Sequence, residues 1–224
     1  MNRRRALLNL ASTGALLAAA PLRHAHAQDV SVNTKDKVVA LVRSAGVDPK
    51  SRAVQKIEPI VLKPEPGSSA NDLPVFDHFV GDLHLRYVYD DPRFMQAMRV
   101  RDLARLGVTR ADLPALVVAN YRKLYPDLTV LEPEPGLGVV TKGGQLEPMV
   151  LLDAAFWDEQ AQRAGGPLIV AIPERDSVLF TKAEPRQNIE LLKHRAVVGF
   201  EKAGKLALSR TVLAWREGLW EVVA

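Results

Sequence analysis

The chain has 224 residues, 47% hydrophobic and 25% charged, which is enough apolar residue for one globular core and too much for a disordered chain. It contains no cysteine, which excludes disulfides, a lipoprotein anchor, thiolate metal sites, iron–sulfur ligation and thiol catalysis. Its 30 Lys and Arg outnumber its 26 Asp and Glu, but the excess is confined to the first residues and leaves no electrostatic footprint for nucleic acid.

Residues 1–27 read as a cleavable export signal. Arg3, Arg4 and Arg5 form a positive start, residues 6–20 an apolar run, and Ala25-His26-Ala27 an A-x-A cleavage site that leaves Gln28 as the first mature residue. The arginines followed by Leu7 and Leu8 resemble a twin-arginine signal. Ala6 departs from that motif, and the general secretory route fits as well. An apolar run of about 15 residues falls short of the roughly 20 that span a bilayer, so no stable membrane span is expected after cleavage. Loss of Arg3, Arg4, Arg5 and Arg23 brings the bases level with the 26 acids. The expectation is a periplasmic or secreted protein with a mature chain of residues 28–224 folded as one domain.

Thr34 as a cap, Val38, Leu41, Val42 and Ala45 at helical spacing, and Gly46 as a stop predict a helix over 38–45. A short strand over 57–62 follows. Residues 63–74, rich in Pro, Gly, Ser and Asn, predict an exposed loop. Residues 80–89 alternate as a half-buried strand, with Leu83, Leu85, Tyr87 and Tyr89 on one parity and Asp82, His84 and Arg86 on the other. Residues 95–106 read as a short helix or turn region stopped by Gly107. The next helix carries Leu113, Leu116, Val117, Asn120, Tyr121 and Leu124 on one stripe and ends at Pro126. Pro114 leaves two starts open, Thr109 with a broken ladder or Asp112 with the proline in the first turn.

Short strands are predicted over 128–131, 137–141 and 146–152, with Lys142-Gly143-Gly144 as a hairpin turn. The densest apolar stretch then runs from the strand 146–152 through a helix over 153–164 to two strands folded about residues 173–176. A helix over 186–203 and a closing hairpin turned at residues 216–218 complete the chain. Recurrent hairpins with interspersed helices predict an α+β fold, a mostly antiparallel sheet with helices packed on it.

The chemistry is sparse. His78, Asp82 and His84 bring metal-ligand types together on a strand, but in no known ligand spacing, and polar residues on an open strand face are ordinarily solvated. Asp153, Glu174 and Asp176 are the carboxylates for acid and base work, although Asp153 also suits a helix cap and the other two suit a turn. No nucleophile elbow, S-x-x-K or phosphate loop is present, and no cofactor is expected. Trp157, in a short helix beside apolar strands, reads as core or as the wall of a ligand groove.

Leu151-Leu152-Asp153-Ala154-Ala155-Phe156-Trp157 and Val170-Ala171-Ile172-Pro173-Glu174-Arg175-Asp176 carry a family resemblance. The chain resembles the YtpQ-like family of uncharacterised bacterial proteins over residues 74–222, with Asp82-Leu83, Tyr87, Leu106 to Thr109 and Trp220-Glu221-Val222 agreeing further. That resemblance implies no activity and no catalytic residues. It implies an aromatic side chain where this chain has His84, which weighs against the metal site, and members that are often cytoplasmic.

Two functions follow as expectations. The first is an exported, non-enzymatic domain that binds a protein or a small molecule, with Arg175, Asp176 and Trp157 as its contact residues. The second is a hydrolase acting on an anionic substrate through Asp153, Glu174 or Asp176, with Arg175 holding the charge. An ion pair between Arg175 and Asp176, bracing the turn, is the structural alternative to either.

Overall fold

A computed structural model describes residues 33–46, 53–91, 94–142 and 146–223; the segment expected as an export signal, with Arg3 to Arg5, Ala25 and Ala27, and the expected first mature residue, Gln28, lie outside them, as does most of the Lys142-Gly143-Gly144 turn. In chain order the elements are β1 (Val38–Ser44), β2 (Glu58–Pro59), β3 (Phe76–Val80), β4 (Leu83–Asp91), β5 (Phe94–Ala97), α1 (Val100–Leu106) and α2 (Leu113–Leu124). They continue with β6 (Thr129–Glu134), β7 (Leu137–Thr141), α3 (Ala154–Ala164), β8 (Leu168–Glu174), β9 (Ser177–Lys182), α4 (Gln187–Ala203), β10 (Val212–Arg216) and β11 (Leu219–Val222). The fold is α+β, as the sequence predicts. The first sheet has the order β1-β4-β3-β2 with β5 also on β4, the second β11-β10-β8-β9-β7-β6, and every pairing is antiparallel.

β4 is the spine of the first sheet. Leu83, Leu85, Tyr87 and Tyr89 are wholly buried, as their shared parity requires. β1 runs along one edge of β4, while β3 and β5 share the other edge end to end, β3 opposite its first half and β5 opposite its second. Gly81, at φ 61°, makes the turn between β3 and β4 that the alternation pattern conceals.

Three predicted elements are corrected: the start of the region expected as a helix or turn over 95–106 is strand β5, paired with β4, and helix α1 begins only at Val100. The segment expected as a helix over 38–45 is strand β1, with Val38 through Val42 all buried. A continuous run of β-branched and apolar residues fits a strand covered on both faces as well as it fits a helix. Pairing with β4 over seven residues decides it. The predicted strand over 146–152 is a 3₁₀ helix, Glu147–Leu152, with Pro148 in its first turn. Its Val150 and Leu151 carbonyls accept the indole N–H of Trp157 and of Trp220, each at 2.8 Å, in place of a neighbouring strand.

α2 begins at Leu113, because a preceding 3₁₀ turn, Arg110–Asp112, turns the Asp112 carboxylate back to accept from the Thr109 N–H at 2.8 Å and hydroxyl at 2.7 Å. Pro114 therefore stands in the first turn, where its missing donor costs nothing. The Asn120 amide donates to the carbonyls of Lys35 and Val38 at 2.8 Å, tying α2 to β1.

β8 is covered on both sides. Leu168, Val170 and Ile172 enter the main core with Phe180, Trp157, Trp215 and Trp220, while Ile169 and Ala171 meet Leu192 and Ala196 of α4 on the other face. The first sheet contributes Val38, Leu85, Tyr87 and their neighbours to that same main core. A buried polar junction also joins the sheets. Asp82, 6% exposed, accepts hydrogen bonds from the hydroxyls of Ser44 at 2.6 Å, Ser209 at 3.0 Å and Thr211 at 2.7 Å. Among the described residues no helix is long and apolar enough to cross a membrane.

Candidate functional site

The β8–β9 turn holds Arg175 and Asp176 and is pinned from outside its own hairpin. The Arg175 N–H donates to the Leu206 carbonyl at 3.1 Å, while the Pro173 and Ile172 carbonyls accept from the N–H groups of Leu208 and Ser209 at 2.8 and 3.1 Å. Ser209 also donates to Asp82, so the turn is fixed against the end of the first sheet where β3 passes into β4.

The register of that sheet brings basic side chains to the same end. Arg43 of β1 stands opposite His84 of β4, and Leu41 opposite Arg86; across the other edge His84 faces His78, and Arg86 faces Phe76. Cross-strand partners share a sheet face, so Arg43, His84, Arg86, His78 and Phe76 lie together. The Arg86 guanidinium carbon is 5.8 Å from the Phe76 ring centroid, and the His84 ring is 5.8 Å from the same ring.

The electrostatics follow from that crowding. The Arg43 guanidinium is lowered to about 10, first by burial and then by repulsion from Arg175 and Arg86, and so remains charged at neutral pH. Arg43 donates to the Val42 carbonyl at 2.8 Å. The Nε groups of Arg86 and Arg175 are buried without a hydrogen-bond partner. Among the described residues none of the three arginines forms an ion pair, and the bracing pair expected between Arg175 and Asp176 is not made. Such unspent donors are uncommon in a folded protein and point to a missing acceptor. His84 lies below its ordinary value, through burial first and Arg43 second, with Asp82 pulling the other way and His78 adding to the depression.

The remaining predicted residues are placed elsewhere or otherwise engaged. Asp153 caps α3 by accepting from the Phe156 N–H at 3.1 Å, and the Arg122 guanidinium grips it through Nε at 2.6 Å and through Nη2. It borders a cleft of about 480 Å³ between α2 and α3, lined by Tyr121, Tyr125, Phe156 and Glu159 among others, and neither Glu174 nor Asp176 reaches that cleft. Glu174 accepts from the Ser177 hydroxyl at 3.1 Å within its own turn.

Trp157 is wholly buried, edge-on to Phe156, Phe180 and Trp220 with centroids 5.0 to 5.5 Å away, so it is core and not a ligand-facing wall. The His78 ring nitrogens lie 3.1 Å from the Lys56 carbonyl and 3.3 Å from that of Gly81, and the Asp82 oxygens are taken by hydroxyls. Among the described residues no group of three or more His, Asp or Glu side chains is placed to hold a metal ion.

Arg43 and Arg86 are the site residues that the sequence does not single out. Arg86 carried a signal, being charged on the open parity of a strand, whereas Arg43 stood inside an apparent helix.

No family model matches the chain, and no solved structure matches it. Among curated proteins it is 20% identical over 196 residues to the UPF0354 protein SSP1020 of Staphylococcus saprophyticus, an alignment that spans 84% of this chain and 68% of that protein. The chain is thus distantly similar to an uncharacterised bacterial protein.

Proposed function

We propose that this is an exported, non-enzymatic binding domain whose ligand, a protein or a small molecule, docks at the arginine-bearing end of the two sheets beside the β8–β9 turn. One observation carries the reading: Arg43, Arg86 and Arg175 come from three backbone segments to one place and, among the described residues, form no ion pair there. Strands and a pinned turn hold them, which is how a binding constellation is kept in place without its ligand. The hydrolase reading has less support, since Asp153 is committed to its cap and to Arg122, and Glu174 and Asp176 lie away from its cleft. Membership of the YtpQ-like family is part of the proposal, supported by the Asp153 to Trp157 and Val170 to Asp176 motifs and by the distant relative.

The test is chemical-shift mapping of the mature protein, residues 28–224, against fractionated periplasmic extract. Shifts at Arg43, His84, Arg86 and Arg175 are expected with at least one fraction; spectra unchanged by every fraction sink the proposal. Export is checked on the full chain by sequencing the processed N-terminus, expected at Gln28. Replacing Arg4→Lys together with Arg5→Lys holds precursor in the cytoplasm if the twin-arginine route operates, and normal accumulation assigns the general route.

A further inference from the structure

We infer that the group bound by Arg43, Arg86 and Arg175 is a tetrahedral oxyanion, a phosphoryl or sulfuryl group on a small ligand. This rests on the binding reading above and gives it a chemistry.

Charge is the first argument. Three guanidiniums share one end of the molecule, and Asp82, the acid beside His84, spends its oxygens on Ser44, Ser209 and Thr211. Glu174 and Asp176 sit in the same turn as Arg175, Glu174 accepting from Ser177, and neither pairs with an arginine. A compact group with two negative charges compensates such a cluster better than a singly charged carboxylate. An extended polyanion is disfavoured, because the mature chain carries as many acids as bases and the acids of the turn would repel a long charged backbone.

Geometry is the second. A planar carboxylate is matched by one guanidinium fork, which leaves the other two arginines unsatisfied. Here the guanidiniums come from β1, from the neighbouring β4 and from the β8–β9 turn, so donors are offered by three separate forks in three positions. A tetrahedral centre offers oxygens in as many directions. The buried, partnerless Nε groups of Arg86 and Arg175 are donors of this kind.

Energetics is the third. Arg43 is repelled by both of its neighbours in a half-buried setting, and the cluster persists because strand register and the Asp82 junction hold it. An anion in its midst converts that repulsion into attraction, so binding raises stability by mass action.

The experiment titrates the mature protein with sodium phosphate, sodium sulfate and sodium acetate at constant ionic strength, following the arginine Nε–H resonances and the melting temperature. Phosphate or sulfate should shift Arg86 and Arg175 saturably and raise the melting temperature, and whichever binds tighter identifies the group. Arg43→Gln, Arg86→Gln and Arg175→Gln should each weaken that binding on the order of tenfold or more, while Arg163→Gln, on a distant helix face, leaves it unchanged. Arg175→Gln, in a turn rather than a strand, keeps the test open if the strand variants fail to fold.

Acetate shifting the same resonances as strongly as phosphate overturns the oxyanion inference and leaves the binding reading standing. So does silence with all three salts when an extract fraction still moves Arg43, His84 and Arg175. Silence with salts and extract alike overturns both.

Discussion

Gly138 of β7 stands opposite Phe180 of β9, and the ring of Phe180 lies across the space where a side chain would be. A Cβ added there would stand 2.2, 2.4 and 2.7 Å from three ring carbons. Carbon atoms rest at about 3.5–4.0 Å, so Gly138→Ala requires the ring to withdraw by roughly an ångström or more. The ring has little freedom to do so, being edge-on to Trp157 at 5.5 Å and 87°. Overpacking of this kind costs about 1–3 kcal/mol, disturbing the aromatic pair about 0.5–1.5, and the reduced entropy of the unfolded chain returns about 0.4–1. The net loss is about 2 kcal/mol, which for a domain of this size lowers the melting temperature by about 4–8 °C. Urea denaturation of residues 28–224, followed by tryptophan fluorescence, measures it. Phe180→Leu should cost less in the Gly138→Ala background than alone, with a coupling of at least about 0.5 kcal/mol. A Gly138→Ala protein as stable as the parent, or a strictly additive cycle, refutes the placement of the ring over the glycine.

Asp82→Ala removes the acceptor of three hydroxyls at the junction between the sheets, and a loss of about 3 kcal/mol is expected by urea denaturation; an unchanged midpoint would mean the junction does not hold the sheets together. Asp153→Ala should cost about 1–2 kcal/mol through the lost cap and the stranded Arg122, and Asp153→Asn less, since asparagine also caps; equal losses would contradict the capping role. His84 takes up its proton less readily in the folded protein than in the unfolded chain, where its ordinary value is 6.5. The unfolded state therefore binds more protons in the window below 6.5, so the parent should lose more stability than His84→Gln as pH falls from neutrality into that window. Matching pH profiles for the two proteins would remove His84 from the account.

The elements readable from sequence are those whose ends are set locally. α3 carries its own cap in Asp153 and its own stop in Gly165, at φ 68°, and β7 and the β8–β9 hairpin are bounded by turn residues. The closing hairpin turns at Glu217 and Gly218, both with positive φ, as a two-residue turn matched to strand twist requires. β1 and the segment 147–152 were illegible for the opposite reason. The buried run at Val38 to Val42 has no period that distinguishes helix from strand, and its partner β4 lies more than 40 residues away in sequence. The 3₁₀ segment is fixed by Trp157 and Trp220, the second arriving from the far end of the chain.

The same distinction runs through the site. Arg175 could be found because it sits in a turn flanked by an apolar strand on each side, with nothing local for a guanidinium to do. Arg43 and Arg86 could not, because what makes them a cluster is the register of β1 on β4 and the docking of the turn against that sheet. The deciding residue is Asp82, which no charge pattern reveals. Were its carboxylate bridged to Arg43, the cluster would be a structural ion-pair network with its charge consumed. Ser44, Ser209 and Thr211 instead supply neutral donors, which satisfy the buried acid without drawing on a guanidinium. A hydroxyl-bound carboxylate thus fastens the two sheets together without forming an ion pair with any of the three arginines.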